Sequence, residues 1–325
     1  APASPFVRKV MVLLHEAGAA DRVALVPVSG NPLDRVGDLR ENVEWLATKH
    51  ARDDGLCLAV WNDQVLITGT VSQEHLVWLD ARRAQALAGQ ALLFLGQWKD
   101  VPVFAAAMVG PDDPTDGLLA DLGRFIDLRT AAAVLPGPEA AMAGTARSLF
   151  DWHARHGFCS VCGGQTQPVS GGWKRKCDAC ESQHFPRVDP VAIMLPVYEG
   201  GDEPRCLLGR QAVWPKGRMS ALAGFIEPGE SIEEGCAREV LEEAGLHVVS
   251  TQYHSSQPWP FPHQLMIGLI CQVDSDQAHA NQTELEAVTW LTRVEAKAVL
   301  DGRHPDILAP PPFAIAHQLI RAWAG

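Results

Sequence analysis

The sequence predicts an α/β protein built in series: a mixed α+β unit, a short cysteine-rich segment, and a second α/β unit that carries the chemistry. Three observations point there. Short apolar runs alternate with turn signals and helical stretches along most of the chain. Four of the 8 cysteines crowd together while the others stand alone. The 325 residues exceed one ordinary domain, and 47% of them are apolar, enough for more than one core.

In the first unit, CLAVWNDQVLITG reads as two strands around Asn62-Asp63, and ALLFLGQWKDVPVFAAAMV as two more around Lys99-Asp100. HLVWLDARRAQALAG between them reads as helical. No catalytic constellation stands out in this part. PEAAMAGTARSLFDWHARHG follows as an alanine-rich amphipathic helix, with Gly157 suited to stop it. The boundaries expected are residues 1–135 for the first unit, 136–157 for the linking helix, 158–187 for the cysteine segment and 188–325 for the last unit. In that last unit VAIMLPVYE, CLLGRQA, QLMIGLICQV and VTWLT read as strands, and PPPFAIAHQLIRAWAG turns into a final helix.

Cys159-x2-Cys162 and Cys177-x2-Cys180 are two knuckles whose spacing brings four thiolates together tetrahedrally, as structural Zn²⁺ prefers. Two disulfides or free thiols are the alternatives, and a disulfide framework does not suit a long chain without export signals. Four thiolates close the coordination sphere, so such a metal holds the fold and does no catalysis. Trp173, Lys174, Arg175 and Lys176 lie between the knuckles, either as a solvated tip or as a basic patch for phosphates.

The net charge of −12 opposes general attraction to nucleic acid or an anionic membrane. No apolar run approaches the ~18–20 residues of a membrane span. The opening APASPFVRKVMVLL lacks a secretory layout and the C-terminus lacks a sorting signal, so a cytoplasmic protein is expected.

The densest chemistry is GFIEPGESIEEGCAREVLEEAGL, residues 224–246. Ser231 and Glu234 form a capping box, and Gly245 supplies a left-handed stop, so a helix runs from about Ile232 to Ala244. On it Cys236, Ala237, Val240, Leu241 and Ala244 share one side, while Glu239, Glu242 and Glu243 converge on the other. Three carboxylates on one face suit a hard divalent cation such as Mg²⁺. A generic acidic, solvated face is the alternative, and composition alone would favour it.

The spacing argues otherwise. Gly224, Glu230 and the run Arg238-Glu239-Val240-Leu241-Glu242-Glu243-Ala244-Gly245-Leu246 match G-x5-E-x7-R-E-U-x-E-E-x-G-U at every defined position, and the segment resembles the box of Nudix hydrolases. Downstream, SQPWPFPHQ at residues 256–264 resembles the signature of the NADH pyrophosphatase branch, which also carries a four-cysteine ribbon before its catalytic domain. A proline-rich ligand for a partner domain is the alternative for that stretch. Its three prolines would stiffen a loop and hold Trp259 and Phe261 for packing or for stacking on a flat ring.

The resemblance implies a C-terminal α/β/α sandwich, the zinc ribbon, and a degenerate Nudix-like N-terminal domain. It implies metal-dependent hydrolysis of the diphosphate of NADH or NAD⁺ to nicotinamide mononucleotide and AMP, and for some members removal of NAD caps from RNA. It implies Mg²⁺ or Mn²⁺ on Glu239, Glu243, Glu284 and the carbonyl of Ala223, with Glu242 as a further acidic partner and Arg238 bracing Glu230. It places substrate against Gln257, Pro258, Trp259, Pro260, Phe261, Pro262, His263, Gln264 and Ala316, with Phe225 and Arg129 as further contacts, in a homodimer. Three positions depart from the pattern: Gln264 for Ser, Gly172 for Glu and Phe185 for Tyr. Other outcomes in view are hydrolysis of ADP-ribose or another nucleoside diphosphate derivative, or a non-catalytic zinc-ribbon protein that binds nucleic acid.

Overall fold

The computed structural model describes residues 37–50, 55–71, 73–110 and 112–325; the first 36 residues of the expected N-terminal unit lie outside them. In the N-terminal part, strands Leu56–Trp61 and Gln64–Thr68 form a hairpin whose turn residues Asn62 and Asp63 have φ of 47° and 62°. Lys99 and Asp100, with φ of 51° and 65°, join Leu93–Trp98 to Val101–Ala107 in the same way. Positive φ at both central residues matches the twist of the flanking strands. Leu56–Trp61 runs parallel to Val101–Ala107, which makes the sheet mixed. Alternate residues of Leu56–Trp61 then feed two cores. Leu58 and Val60 pack with Met142, Ala146 and Leu149 of the linking helix, and Cys57 and Ala59 with Leu46, Ala81 and Ala84.

The helix expected over HLVWLDARRAQALAG is shorter than its pattern. His75–Leu76 and Leu79–Asp80 pair as short strands, and only Ala81–Leu87 is helical. Asp80 accepts from the N–H of Arg83 at 2.7 Å and starts the helix there, while sheet pairing takes the apolar residues before it. The linking helix is Gly137–Arg155; its cap is His156, whose N–H returns to His153, and Gly157 lies beyond it.

The C-terminal part is an α/β/α sandwich. Its sheet runs in the order Val248–Trp259, Gln264–Val273, Asp189–Tyr198, Arg205–Arg210, Ala287–Thr292, with Leu222–Phe225 also paired to Asp189–Tyr198. Ile193, Leu195 and Val197 of the central strand face helices Arg293–Leu300 and Ile315–Ala324 through Ala296, Val299, Leu319 and Ile320. Ala192 and Met194 face helix Ile232–Ala244 through Cys236, Val240 and Ala244. Fully burying a side chain such as Val240 contributes roughly 1.5–3 kcal/mol. The capping box of Ser231 and Glu234 and the left-handed Gly245 (φ 69°) bound this helix.

Two local expectations change here. Leu241 is exposed, and Glu239 and Glu243 are buried instead. The helix is rotated so that these acids face the strand Leu222–Phe225. SQPWPFPHQ is no free loop either: Ser256–Trp259 continue a strand paired with Gln264–Ile267, and only residues 260–263 turn. That turn packs on the linking helix, where Arg147 donates to the Pro260 carbonyl at 2.6 Å and Ser148 to that of Pro262 at 2.8 Å.

In the ribbon the four sulfurs lie within 4.8 Å of one another and none is bridged. Cys159–Cys180 are 3.7 Å apart and Cys162–Cys177 3.5 Å, close to the ~3.8 Å edge of a tetrahedron with 2.3 Å Zn–S bonds. The donors therefore fit structural zinc. The basic run beside them is partly buried and its cations are already paired, with Lys176 in an exposed ion pair. Trp173 donates to Phe94 at 2.6 Å beneath the Arg40 guanidinium, Lys174 pairs with Glu41 and Lys176 with Glu181. Arg175 is buried on Thr166 and on His153, which itself meets the Gly172 carbonyl at 2.8 Å. Gly172 has φ 91°, and a Cβ there would come 2.3 Å from Leu93, so the Glu that the family pattern places at this position has no room.

Candidate active site

Arg238 organises the glutamate helix from its own first turns. Its guanidinium grips Glu230 through Nε (2.6 Å) and Nη2 (2.9 Å), and its remaining donors reach Glu239 (2.8 Å), Glu242 (2.9 Å) and the Phe225 carbonyl (2.8 Å). That one side chain offsets the like-charge repulsion along the helix. The Arg238 fork, helped by the N–H of Glu227, holds the Glu230 carboxyl down at about 2.

Glu239, Glu243 and Glu284 bring ligand oxygens within 4.8 Å of one another. Glu284 arrives on the turn after residue 281, whose backbone is tied to Glu243 by the Asn281 N–H at 3.0 Å. Burial raises the Glu239 carboxyl, with Arg238 opposing. Glu243 is pushed up to about 8, first by burial and then by the Glu239 and Glu284 carboxylates. One of its oxygens, Oε2, is buried without a partner among the described residues. Clustered carboxylates with an orphaned buried oxygen fit a hard divalent cation. Gly224 belongs to this arrangement. A Cβ there would lie 1.8 Å from the Glu239 carboxyl carbon, so only glycine lets Glu239 lie against the strand.

Glu243 and Ala223 also line a cavity of about 430 Å³. Of the residues implied as substrate contacts, Arg129, Gln257, Trp259 and Ala316 line it as well. Trp259 stacks on Phe313 with centroids 6.3 Å apart and planes 18° from parallel. The amide of Gln257 is engaged, donating to the Phe313 carbonyl and accepting from the Ile315 N–H, both at 2.8 Å, which anchors the final helix. Phe261 points elsewhere: it packs into the N-terminal core beneath Arg129, whose Cζ is 4.6 Å from the ring centre. Pro258, Pro260, Pro262, His263 and Gln264 are not among the lining residues; His263 faces Asp189 at 3.0 Å, and Gln264 pairs with Trp259 across the hairpin. Phe225 is half exposed beside the box, and Glu242 is turned to Arg238. Trp214, Arg218 and Phe313 line the cavity and were not singled out in the sequence. Trp214-Pro215 and Pro312-Phe313 repeat the aromatic–proline pairing of Trp259-Pro260, a signal that was there to find.

The NUDIX domain model matches residues 188–309, the NADH pyrophosphatase-like rudimentary NUDIX domain residues 54–152, and the NADH pyrophosphatase zinc ribbon domain residues 154–185. The NAD-capped RNA hydrolase NUDT12 of Macaca fascicularis is 36% identical over 333 residues, covering 90% of this chain and 71% of that protein. The human mitochondrial NAD(P)H pyrophosphatase NUDT13 is 42% identical over 213 residues, covering 62% of this chain and 59% of its own length. The NAD-capped RNA hydrolase NudC of Mycobacterium bovis (strain BCG / Pasteur 1173P2) is 37% identical over 206 residues, covering 61% of this chain and 65% of that one.

Proposed function

The chain belongs to the Nudix hydrolases of the NADH pyrophosphatase type with a zinc ribbon, and from that premise we propose that it hydrolyses the diphosphate of NADH or NAD⁺ to nicotinamide mononucleotide and AMP. One observation carries this: Glu243 belongs both to the carboxylate cluster and to the wall of a cavity that also presents Trp259, Phe313 and Arg129. A diphosphate flanked by flat rings matches that combination of a cation site, aromatic surface and a guanidinium.

Glu239, Glu243, Glu284 and the Ala223 carbonyl would hold Mg²⁺ or Mn²⁺. Bound there, the cation neutralises diphosphate charge and acidifies water. The chain does the rest. Arg238 holds Glu239 and Glu242 in place and, through Glu230, ties the loop before the helix to the helix itself. Gly224 gives Glu239 its seat, and Gln257 fixes the segment carrying Phe313 and Ala316. Trp259 and Phe313 offer a rigid apolar wall to a base or nicotinamide ring. Phe261, Pro260 and Pro262 act through position, tying this hairpin to the linking helix.

The test is mass spectrometry of products from NADH in ¹⁸O-labelled water with Mg²⁺ or Mn²⁺. AMP and reduced nicotinamide mononucleotide, with label on one phosphate, support the reading; an intact NADH with both metals refutes it and turns attention to ADP-ribose. Removal of NAD caps from RNA is a second activity of the same site, favoured by the names of the relatives. Arg175 is buried, and Lys174 and Lys176 are already paired with Glu41 and Glu181 at the surface, which argues for a short grip on the capped end. Decapping should then show a salt slope close to that of NADH turnover, because few counterions are released.

We place the enzyme in a reducing compartment such as the cytoplasm, a reading supported by its 8 unbridged cysteines. Among the described residues no helix is long and apolar enough to cross a membrane. A homodimer is also proposed; exposed Phe158, Val161, Phe185 and Val188 on and beside the ribbon support self-association, and sedimentation at two concentrations tests it.

A further inference from the structure

The cavity is acidic where Glu243 meets the metal cluster and basic elsewhere, through Arg129 and Arg218. Arg129 lies over the face of Phe261. Arg218 has no such seat. Among the described residues its guanidinium makes no hydrogen bond or ion pair, and its Nε is shielded from solvent without a protein acceptor. Its backbone, in contrast, is held on three sides. The Arg218 N–H donates to Pro215 at 3.0 Å, the Leu308 N–H to Gly217 at 2.9 Å, and the Met219 N–H to Leu308 at 3.2 Å. Gly217 turns this segment with φ 78°, and a Cβ there would come 2.6 Å from the Asp306 carbonyl. A fixed backbone therefore presents a cation whose partner does not come from the described protein. Leaving a shielded guanidinium donor unpaired is unfavourable, and its planar fork matches phosphate oxygens.

We propose that Arg218 is a specificity-determining residue of this cavity, its guanidinium taking phosphate oxygens of the bound nucleotide. The inference rests on the reading of the site as a nucleotide diphosphate hydrolase. The phosphate has two possible sources with the same chemistry: the diphosphate that is cleaved, or a phosphate carried on a ribose. Glu243 and its cluster neighbours repel an anion until a cation is bound, so an unpaired guanidinium elsewhere in the lining rewards phosphate independently of the metal.

Isothermal titration calorimetry of the full chain with Mn²⁺, using ADP and adenosine 2′,5′-bisphosphate as probes, separates the sources. Arg218→Gln should weaken binding by about 10–100-fold, and Arg218→Lys should recover part of it by restoring charge without the fork. Weakening of both probes assigns Arg218 to the phosphates of the cleaved linkage; weakening of the bisphosphate alone assigns it to the ribose phosphate. A change below two-fold for both overturns the proposal, as does failure of the unsubstituted protein to bind either probe. Equal losses in Gln and Lys variants together with a lowered melting temperature would also overturn it, since that is the mark of a collapsed segment. NADH turnover by the unsubstituted protein reports separately on the function. If NADH is not cleaved but probe binding depends on Arg218, the inference stands and the substrate changes. If NADH is cleaved and probe binding ignores Arg218, only the inference falls.

Discussion

Gly224→Ala should uncouple activity from stability more cleanly than any substitution of a ligand. The added Cβ would lie 1.8 Å from Cδ of Glu239, 1.9 Å from Oε2 and 2.2 Å from Oε1. Ordinary carbon contact is ~3.5–4 Å, so the carboxylate must retreat by roughly 2 Å. Metal–ligand distances tolerate only about 0.2 Å, and a displacement of even ~1 Å near a reacting centre costs about 10²-fold. A fall in kcat of about 10²–10³-fold is expected, which is on the order of 3–4 kcal/mol of transition-state stabilisation. The fold should hold. Gly224 sits in a strand opposite Ala192, its φ is not in the left-handed region, and the atoms displaced end a flexible side chain. AMP release from NADH under saturating Mn²⁺, paired with thermal melting, is the assay. Turnover within five-fold of the unsubstituted enzyme would refute the close-approach argument; a melting temperature lowered by more than ~5 °C would show that the clash is relieved by the strand and not by Glu239.

Glu243→Gln keeps volume and removes a ligand charge, so turnover should drop by about 10²–10³-fold while the metal-free protein melts no lower near neutral pH, because Gln is buried without the proton that Glu243 must take up there; normal turnover would sink the assignment. Cys162→Ser should take bound zinc from about one per chain toward none and lower the melting temperature, measured by atomic absorption and calorimetry; unchanged stoichiometry would count against the ribbon. His153 supplies the pH dependence. Burial, with Arg175 and His156 adding to it, lowers its pKa from 6.5 to about 4 despite the Gly172 hydrogen bond, so the folded state keeps it neutral and unfolding takes up a proton. Its stabilisation is therefore complete above pH 6.5 and is lost as pH falls from there toward 4, a loss on the order of 3 kcal/mol at most. His153→Gln should flatten the melting curve across that window, with zinc content checked at each pH; parallel curves for the two proteins would rule the mechanism out.

What the sequence determined by itself is local. The capping box, the left-handed Gly245, the paired positive-φ turns at Asn62-Asp63 and Lys99-Asp100, and the two cysteine knuckles each depend on residues a few positions apart, and their geometry follows from backbone sterics and hydrogen bonding within one turn. The box spacing likewise put Glu239 and Glu243 one helical turn apart. Tertiary structure decided which way such elements face. Amphipathic periodicity gave Leu241 to the core and set the glutamates on the opposite face, yet Glu239 and Glu243 are buried and Leu241 is exposed; for Glu239, Gly224 leaves a seat without a side chain and Arg238 accompanies it. Trp259 and Phe261 look alike in the chain, but two residues apart around a hairpin they enter different places, one the cavity and the other the N-terminal core. The basic run of the ribbon was open to solvent or ligand in principle, and Glu41, more than a hundred residues earlier, claims Lys174. Sheet pairing overrode the helical pattern before Asp80 for the same reason. A short apolar or charged run carries no record of its distant partner, and at those positions the partner's contact energy exceeds the fraction of a kcal/mol that local propensity contributes.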